Sequence, residues 1–154
     1  MKKLKKLILI FLIINFTALG IGSWLMKNGP QTDWYLNLNK APWTPPGWVF
    51  GAAWTLIMIC FSIYMSYLYK QIPTTTILGL FTFQFLLNVG WNFIFFNKHL
   101  ILIGLICIIL LTFLIGFFLT KYYPVLKQKS LLILPYFVWL IIATSLNAYI
   151  VINN

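Results

Sequence analysis

The sequence has few of the residues that carry most enzyme chemistry. Its 154 residues include no arginine, no glutamate, one aspartate (Asp33) and one histidine (His99). Catalysis by a pair of carboxylates is therefore excluded, and no nucleophile is paired with Asp33 and His99. Ion pumps and proton relays need acids or histidines inside membrane-spanning segments, and no apolar run carries one. The sequence predicts no catalytic residue, no metal and no cofactor, and it favours a protein that is not an enzyme.

Charge is scarce throughout the chain. Only 8% of the residues are charged and 62% are hydrophobic, whereas a soluble domain carries about a quarter charged residues. This composition predicts an integral membrane protein. The net charge of +10 does not indicate nucleic-acid binding, because the lysines cluster at the ends of apolar segments rather than along one face. Cys60 and Cys107 lie inside apolar runs, which favours packing over a disulfide or a metal pair.

Five apolar runs are each long enough to cross about 30 Å of hydrocarbon as a helix. We therefore predict an all-α integral membrane protein, a five-transmembrane-helix bundle that forms one domain over residues 1–154 and has a long first loop. The first run begins like a signal peptide, but it stays apolar as far as Trp24, so we interpret it as an uncleaved span. The approximate spans are 4–26, 47–69, 74–96, 100–120 and 130–152.

The lysines predict the orientation in the membrane. If the five spans alternate in direction, eight lysines fall on one side and three on the other, and the lysine-rich side is cytoplasmic. The N-terminus is then cytoplasmic, and the long first loop and the C-terminus lie outside. The lysine-only, isoleucine-rich composition indicates a multi-pass protein of a bacterial inner membrane. The eight are Lys2, Lys3, Lys5, Lys6, Lys70, Lys121, Lys127 and Lys129, and the three are Lys27, Lys40 and Lys98.

The first loop ends in the segment "KAPWTPPGW", residues 40–48. Pro42, Pro45 and Pro46 fix φ and push their neighbours toward extended geometry, so the segment is stiff and cannot continue a helix. Its tryptophans have two possible places. One is the belt that aromatic residues form at membrane interfaces. The other is a lid that closes over a pocket between the helices.

Polar side chains recur inside three of the predicted spans. Such groups are costly in a membrane and face the bundle interior. In the third span, amides four residues apart form one helical stripe with neighbouring aromatic rings. The stripes are Gln84, Asn88, Trp91, Asn92 and Phe95 in the third span; Tyr136, Trp139, Ala143, Asn147 and Ile150 in the fifth; and Phe50, Trp54, Met58 and Phe61 in the second.

These stripes allow two interpretations. The amides either join tightly packed helices, or they line a cavity for a flat, largely apolar ligand, with rings for stacking and amides for orientation. The fourth span is almost wholly apolar, with Thr112 as its clearest polar group, and it predicts a wall that faces lipid or another protomer.

Three segments resemble one known family. "WYLNLNKAPWTPPGWVFGAAW" (34–54) is similar to the first-loop and second-helix signature of the translocator protein family, also called the tryptophan-rich sensory protein or peripheral-type benzodiazepine receptor family. "QFLLNVGWNFIFF" (84–96) resembles its third-helix pattern, and "LPYFVWLIIATSLN" (134–147) resembles its fifth. The segments occur in the family's order and together they span most of the chain.

The resemblance implies a homodimer of five-helix protomers with a ligand pocket under the first loop. It implies binding of protoporphyrin IX and related tetrapyrroles and of synthetic isoquinoline carboxamides, and it favours the lid over the belt for the loop tryptophans, with Trp24 and Trp48 left in the belt. The implied ligand-binding residues are Tyr35, Trp43, Trp54, Asn88, Trp91, Trp139, Ala143 and Asn147, to which the amide stripe adds Gln84.

The resemblance leaves three functions open. The first is a membrane receptor or transporter-like protein that binds porphyrins. The second is a membrane enzyme that degrades porphyrin oxidatively in light, with Trp54 and Trp139 beside the pigment. The third is a scaffold whose helix faces serve oligomerisation only. Animal members of the family also bind cholesterol, but here no basic residue follows Tyr149, so the sterol motif proposed for them is incomplete.

Overall fold

The structure is a computed structural model that describes residues 2–154, and every regular element in that range is helical. In chain order the helices are α1 (Lys2–Met26), α2 (Asp33–Leu36), α3 (Gly47–Gln71), α4 (Thr75–Asn92), α5 (Ile101–Leu126) and α6 (Leu134–Asn153). Two 3₁₀ segments, Gly29–Gln31 and Lys127–Ile133, and a π-helical turn, Phe93–Asn97, complete the regular structure. The predicted all-α class is confirmed.

Four uninterrupted helical stretches in residues 2–154 are long and apolar enough to cross a membrane. The last of them, Ile101–Asn153, contains both α5 and α6. Lys127 separates the two helices, because its φ of 49° lies in the left-handed region. The hydroxyl oxygens of Thr112 and Thr144 are 3.1 Å apart, so the chain reverses at this turn and α6 runs antiparallel to α5. The bundle thus has five long apolar helices.

The five long helices form a closed ring. α1 packs against α3 on one side and α4 on the other, α5 packs between α4 and α6, and α6 returns to α3. Because each helix has two neighbours, the ring encloses a common interior. The apolar side chains on its outer surface are exposed, among them Leu102, Ile106, Leu110, Phe113 and Phe117 of α5.

The two ends of the bundle differ. At one end, which we call the loop end, Asn39 in the first loop donates its amide N–H to the backbone carbonyl of Asn153 at 2.9 Å. At the opposite end, which we call the closed end, the ammonium of Lys129 lies 4.3 Å from the centre of the Tyr67 ring. The structure therefore separates the lysines into the two groups that the sequence defines. The side of the membrane that each group faces stays a prediction.

The ring is filled at the closed end because α3 and α5 meet across it. The hydroxyl of Tyr64 on α3 donates to the backbone carbonyl of Phe118 on α5 at 2.9 Å. The rings of Phe61, Tyr64, Phe118 and Tyr136 have at most 1% of their surface exposed. Aromatic pairs of this kind add roughly 0.5–1.5 kcal/mol beyond the area they bury.

A buried amide joins α1 to α3. Asn15 donates its amide N–H to the hydroxyl of Ser62 at 2.8 Å, and Ser62 donates to the backbone carbonyl of Met58 at 2.6 Å. Both polar side chains are buried, with at most 1% exposed. A polar group without a partner in hydrocarbon would be costly, so this bond fixes which face of α1 packs against α3.

One helix differs from its predicted bounds. α5 continues to Leu126, whereas the sequence interpretation ended the span at residue 120 and assigned "KYYPVLKQK" to a connection. Phe118, Tyr122 and Leu126 are four residues apart, and at most 9% of each is exposed, so one continuous face holds the last turns on the bundle. The stabilisation from this packing offsets the loss of the backbone hydrogen bond that Pro124 cannot donate. The other four helices begin and end within four residues of the predicted spans when α4 includes its π-helical turn.

Candidate functional site

A cavity of about 580 Å³ lies at the loop end, between α1, α3, α4 and α6 and beneath the first loop. Small residues make room for it. Gly47 and Gly51 line the α3 wall, and a Cβ atom added at either position would meet no atom within 4 Å. Ala143 lines the α6 wall. Sites for drug-sized ligands have volumes of about 300–1,000 Å³, so this cavity has the size of a small-molecule site.

Six of the nine sequence-predicted ligand residues line this cavity. They come from four separate elements: the first loop, α3, α4 and α6. The six are Tyr35, Trp54, Asn88, Trp91, Ala143 and Asn147. The other three predicted residues, Trp43, Gln84 and Trp139, lie elsewhere.

Aromatic rings form a continuous wall from α4 to the lid. The Trp91 ring stacks on Phe95 with centroids 5.2 Å apart and an angle of 11° between the planes. Phe95 meets Phe96 edge to face at 5.0 Å, and Phe96 packs against Tyr35 of the loop at 5.3 Å. Phe95 and Phe96 are consecutive, and both lie in the π-helical turn; π-helical turns often mark functional sites. The wall couples the loop to the helices by direct ring contact.

The opposite wall of the cavity comes from α3. Trp54 lines the cavity and meets Tyr136 edge to face, with ring centroids 5.8 Å apart. Because Tyr136 belongs to the buried core of the closed end, the Trp54 ring lies at the boundary between the cavity and that core. Phe50, one helical turn earlier, also lines the cavity.

The lid over the cavity is built on α2. Thr32 caps this short helix by accepting the backbone N–H of Tyr35 at 3.4 Å. The ammonium of Lys40 donates to the carbonyls of Tyr35 and Leu36 at 2.9 and 3.0 Å, and it lies 5.0 Å from the centre of the Tyr35 ring. A cation at the carboxyl end of a helix stabilises it. Burial raises the pKa of the Tyr35 phenol above its ordinary value.

Trp43 lies on the outer side of the lid and does not line the cavity. Its indole N–H donates to the hydroxyl of Ser145 on α6 at 3.1 Å, and its ring meets Tyr149 edge to face at 5.5 Å. About half of its side chain, 53%, is exposed. Trp43 thus attaches the lid to the outside of α6. A second attachment joins the backbone N–H of Asn39 to the side-chain oxygen of Asn154 at 2.9 Å.

Gln84 and Trp139 lie in the predicted stripes but outside the cavity. Gln84 is 1% exposed in the closed end, where its amide N–H donates to the hydroxyl of Tyr136 at 2.7 Å. Trp139 lines a separate apolar groove of about 200 Å³ between α3 and α6 and packs edge to face on Phe50 at 5.3 Å. The stripes are therefore longer than the cavity, and their remaining residues join helices. Some residues of the stripes therefore line the cavity, and others pack helix against helix.

One hydrogen bond links two predicted ligand residues across the cavity wall. The indole N–H of Trp91 on α4 donates to the side-chain oxygen of Asn147 on α6 at 3.1 Å. Asn147 is 2% exposed, and its amide nitrogen has no hydrogen-bond partner within residues 2–154.

The sequence interpretation missed the contribution of α1. Ala18, Leu19, Ser23 and Met26 line the cavity, although this helix carries no stripe of amides and rings at that depth. The available signal was the small residue Gly22, one turn beyond Ala18. A Cβ atom added at Gly22 would lie 2.8 Å from the amide nitrogen of Asn92, so α1 approaches α4 closely there.

Three residues that line the cavity, Ser23 on α1 and Gly51 and Thr55 on α3, are exposed, so the helices do not enclose the cavity completely.

Charge is scarce in the cavity lining. Among residues 2–154, Lys40 is the one charged residue that lines it, and its ammonium already donates to backbone carbonyls. His99 lies outside it, stacked on Trp34 with centroids 4.0 Å apart and 12° between the planes. Within the described range, no three His, Cys, Asp or Glu residues lie close enough together to hold a metal ion. The remaining polar groups of the lining, amides and hydroxyls, suit orientation of a neutral or anionic ligand.

Two tryptophans of the loop end are not part of the cavity lining. Trp24 at the end of α1 and Trp48 at the start of α3 are each 75% exposed. Both are at the loop end, where indole rings at a membrane interface are expected.

A family model and the similar known proteins indicate the same family for this chain. The TspO/MBR family model matches residues 10–152. The chain is 36% identical over 146 residues to the tryptophan-rich protein TspO of Archaeoglobus fulgidus, a match that covers 92% of this chain and 94% of that protein. It is 31% identical to the tryptophan-rich protein TspO of Chlorobaculum tepidum, with 84% and 85% covered. It is 32% identical to the human translocator protein, with 78% and 74% covered.

Proposed function

The chain belongs to the TspO/MBR family of integral membrane proteins, and we propose that it is a receptor or transporter-like protein that binds porphyrins, meaning protoporphyrin IX and related tetrapyrroles. The observation that carries the proposal is the lidded cavity of about 580 Å³, in which aromatic and amide side chains from separate helices meet. The same cavity suits synthetic isoquinoline carboxamides, which are also flat and largely apolar.

Ring stacking supports a flat aromatic ligand. Trp54 on one wall and the Trp91–Phe95 stack on the other present indole and phenyl rings to the same space. Offset or edge-to-face contacts with such rings contribute roughly 0.5–1.5 kcal/mol each beyond the apolar area that they bury. A tetrapyrrole is a large flat π system and gains from several of these contacts at once.

The charge of the lining supports a ligand with acidic side chains. No acidic residue lines the cavity, and Lys40 lies at its edge beneath the lid. Porphyrin carboxylates therefore meet no like charge there, and the lid cation attracts them even though its donors are occupied.

Fluorescence quenching by protoporphyrin IX tests the proposal. We expect saturable quenching for the wild-type protein and a weaker affinity, by about tenfold, for Trp54→Ala, because the substitution removes a ring from the cavity wall. Trp24→Ala is the matched control, since its ring is 75% exposed and does not line the cavity. Wild-type protein that shows no saturable binding would exclude the proposed function.

Trp139 provides a second comparison. It lines the separate groove and packs on Phe50 of the cavity lining, so Trp139→Phe is expected to change the affinity for protoporphyrin IX much less than Trp54→Ala. A loss in Trp139→Phe as large as in Trp54→Ala would mean that the pigment occupies the α3–α6 groove instead.

Light-dependent oxidative degradation of porphyrin is the second candidate. The position of Trp54 favours it, because its oxidisable indole lies in the cavity wall and in contact with Tyr136. Mass spectrometry of the pigment after illumination in air separates the two functions. Binding alone gives the same products with and without protein, whereas degradation gives products that depend on the protein and on Trp54.

The homodimer, the bacterial inner membrane and the cytoplasmic N-terminus complete the proposal. The separation of the lysines between the two ends supports the orientation. Cys60 is half-buried and Cys107 is buried, so modification of these two native cysteines does not report the topology. Cysteines introduced in place of Lys3 and Lys98 test it better, through their accessibility to a reagent that does not cross the membrane.

A further inference from the structure

We infer that the amide nitrogen of Asn147 is a dedicated hydrogen-bond donor subsite of the cavity, held in place by Trp91, and that it selects ligands with an acceptor oxygen on one edge, such as a carboxylate or a carbonyl. The inference rests on the proposed function for the identity of the natural ligand, but the donor itself follows from the geometry of the cavity wall.

Trp91 fixes the orientation of the Asn147 amide. The indole N–H is a donor only, and it points at the side-chain oxygen of Asn147 at 3.1 Å. A flipped amide would bring its NH₂ group against the indole N–H, and two donors would face each other. The oxygen therefore stays on the side of Trp91, and the NH₂ group points away from it.

Gly104 on α5 packs against the side-chain oxygen of Asn147. A Cβ atom built at Gly104 would lie 3.5 Å from the Asn147 oxygen and 3.2 Å from the Phe95 ring, so the α5 backbone packs directly behind the amide oxygen. With the oxygen facing α4 and α5, the NH₂ group points away from both helices, and Asn147 itself belongs to the cavity lining.

The donor has no acceptor within residues 2–154. Asn147 is 2% exposed, yet its amide nitrogen makes no hydrogen bond. An unpaired buried donor costs about 1–3 kcal/mol, and a ligand oxygen that accepts from it recovers this cost. A ligand with the same ring but no acceptor at that edge leaves the cost in place, so the subsite discriminates between the two.

Asn92 in the same cavity supplies the contrast. It is also a lining amide, but its nitrogen already donates to the backbone carbonyl of Asn88 at 3.2 Å. The two lining amides thus differ in hydrogen bonding: the Asn92 nitrogen is occupied and the Asn147 nitrogen is not.

The test measures a preference rather than a single affinity. Protoporphyrin IX carries two carboxyl side chains, and etioporphyrin has the same macrocycle with alkyl groups only. We expect wild-type protein to prefer protoporphyrin IX, and Asn147→Leu to reduce that preference by about tenfold while etioporphyrin binding is retained. Asn92→Leu, the matched control, is expected to keep the preference.

Other results overturn the inference. If Asn147→Leu keeps the preference for protoporphyrin IX over etioporphyrin, the Asn147 amide does not bind the ligand's carboxylate. An equal loss for both porphyrins shows that the substitution changes only the shape of the cavity. Trp91→Phe removes the group that orients the amide, so it is expected to weaken the preference as well, and its effect should not add to that of Asn147→Leu in the double variant.

Failure of the proposed function gives a different pattern. If wild-type protein binds neither porphyrin, porphyrin binding is rejected, and an isoquinoline carboxamide then tests the donor through its single carbonyl. A loss of about tenfold in Asn147→Leu that clearly exceeds any loss in Asn92→Leu supports the subsite with that probe. An unchanged affinity, or no binding of the carboxamide to wild-type protein, rejects the subsite too.

Discussion

The indole N–H of Trp43 in the first loop donates to the hydroxyl of Ser145 on α6 at 3.1 Å, across 102 positions of sequence. Together with the contact between the Trp43 ring and Tyr149, this bond attaches the lid of the cavity to the helix that forms one of its walls. The lid is therefore held from outside by Trp43, while Tyr35 faces the cavity from within.

Trp43→Phe is predicted to speed the release of bound ligand. The substitution removes the hydrogen bond to Ser145 and keeps an aromatic ring against Tyr149. Loss of one neutral hydrogen bond of about 1 kcal/mol raises the open fraction of the lid, and the dissociation rate, by about fivefold. Stopped-flow displacement of protoporphyrin IX measures this rate.

Trp48→Phe is the control for the lid. Trp48 is 75% exposed at the start of α3, and its replacement is expected to leave dissociation unchanged. Equal rates for wild-type protein and Trp43→Phe would show that the bond to Ser145 does not hold the lid during binding.

Lys40→Met is predicted to loosen α2. The lysine ammonium donates to the carbonyls of Tyr35 and Leu36 and neutralises the carboxyl end of this short helix. Methionine keeps an unbranched chain of similar length without the charge or the donors. Hydrogen exchange by mass spectrometry should show faster exchange in residues 33–38, by about tenfold for a loss of roughly 1.4 kcal/mol.

Lys27→Met tests whether charge alone explains the result. Lys27 lies at the same end of the bundle, but it is exposed beyond α1. Its replacement is expected to leave exchange in residues 33–38 as it is in the wild-type protein. Equal acceleration in both variants would argue against helix capping by Lys40.

Ser62→Ala is predicted to destabilise the bundle. The substitution leaves the buried amide of Asn15 without its partner at 2.8 Å and weakens the α1–α3 contact. The expected loss of unfolding free energy is about 1–2 kcal/mol. Denaturation in detergent micelles measures it.

The double variant with Asn15→Leu and Ser62→Ala provides the decisive comparison. It removes both polar groups, so it should recover part of the stability that Ser62→Ala loses, because no buried polar group is left unpaired. Purely additive losses in the cycle would show that the two side chains contribute independently.

Gly29→Ala is predicted to distort the cavity wall. Gly29 lies directly against Phe96, and an added Cβ atom would be 2.6 Å from the Phe96 Cβ and Cδ1 atoms. Because the Phe96 Cβ is fixed to the backbone, the π-helical turn has to move, at a cost of about 1–3 kcal/mol. Thermal unfolding and protoporphyrin IX affinity should both fall.

Gly20→Ala is the matched substitution. Gly20 lies in the middle of α1, and an added Cβ atom meets nothing within 4 Å. It should leave ligand affinity unchanged and raise stability by roughly 0.5–1 kcal/mol, since alanine favours the helix. A destabilised Gly20→Ala together with a stable Gly29→Ala would reverse the expected order and contradict the packing described for Phe96.

The stripes on α3, α4 and α6 show where sequence interpretation succeeds. Helical periodicity gives the direction of each side chain around its own axis, and Asn88, Trp91 and Asn147 do face the interior of the ring. The same reasoning assigned Gln84 and Trp139 to the cavity, whereas the structure has Gln84 bonded to Tyr136 and Trp139 in a separate groove. Periodicity does not show at which level along the bundle neighbouring helices come into contact, and so it does not show where the cavity ends.

The sequence by itself determined five apolar helices, the two groups of lysines, the stiff proline-rich loop and the aromatic and amide stripes. Composition and period act along a single helix, so these features need no knowledge of partners. Only the tertiary structure decided that α3 and α5 close one end, that α1 lines the cavity, that Trp43 holds the lid from outside, and that the Asn147 amide is oriented by Trp91. Each of these depends on contacts between residues far apart in the chain, and such contacts exist only once the ring of helices has closed.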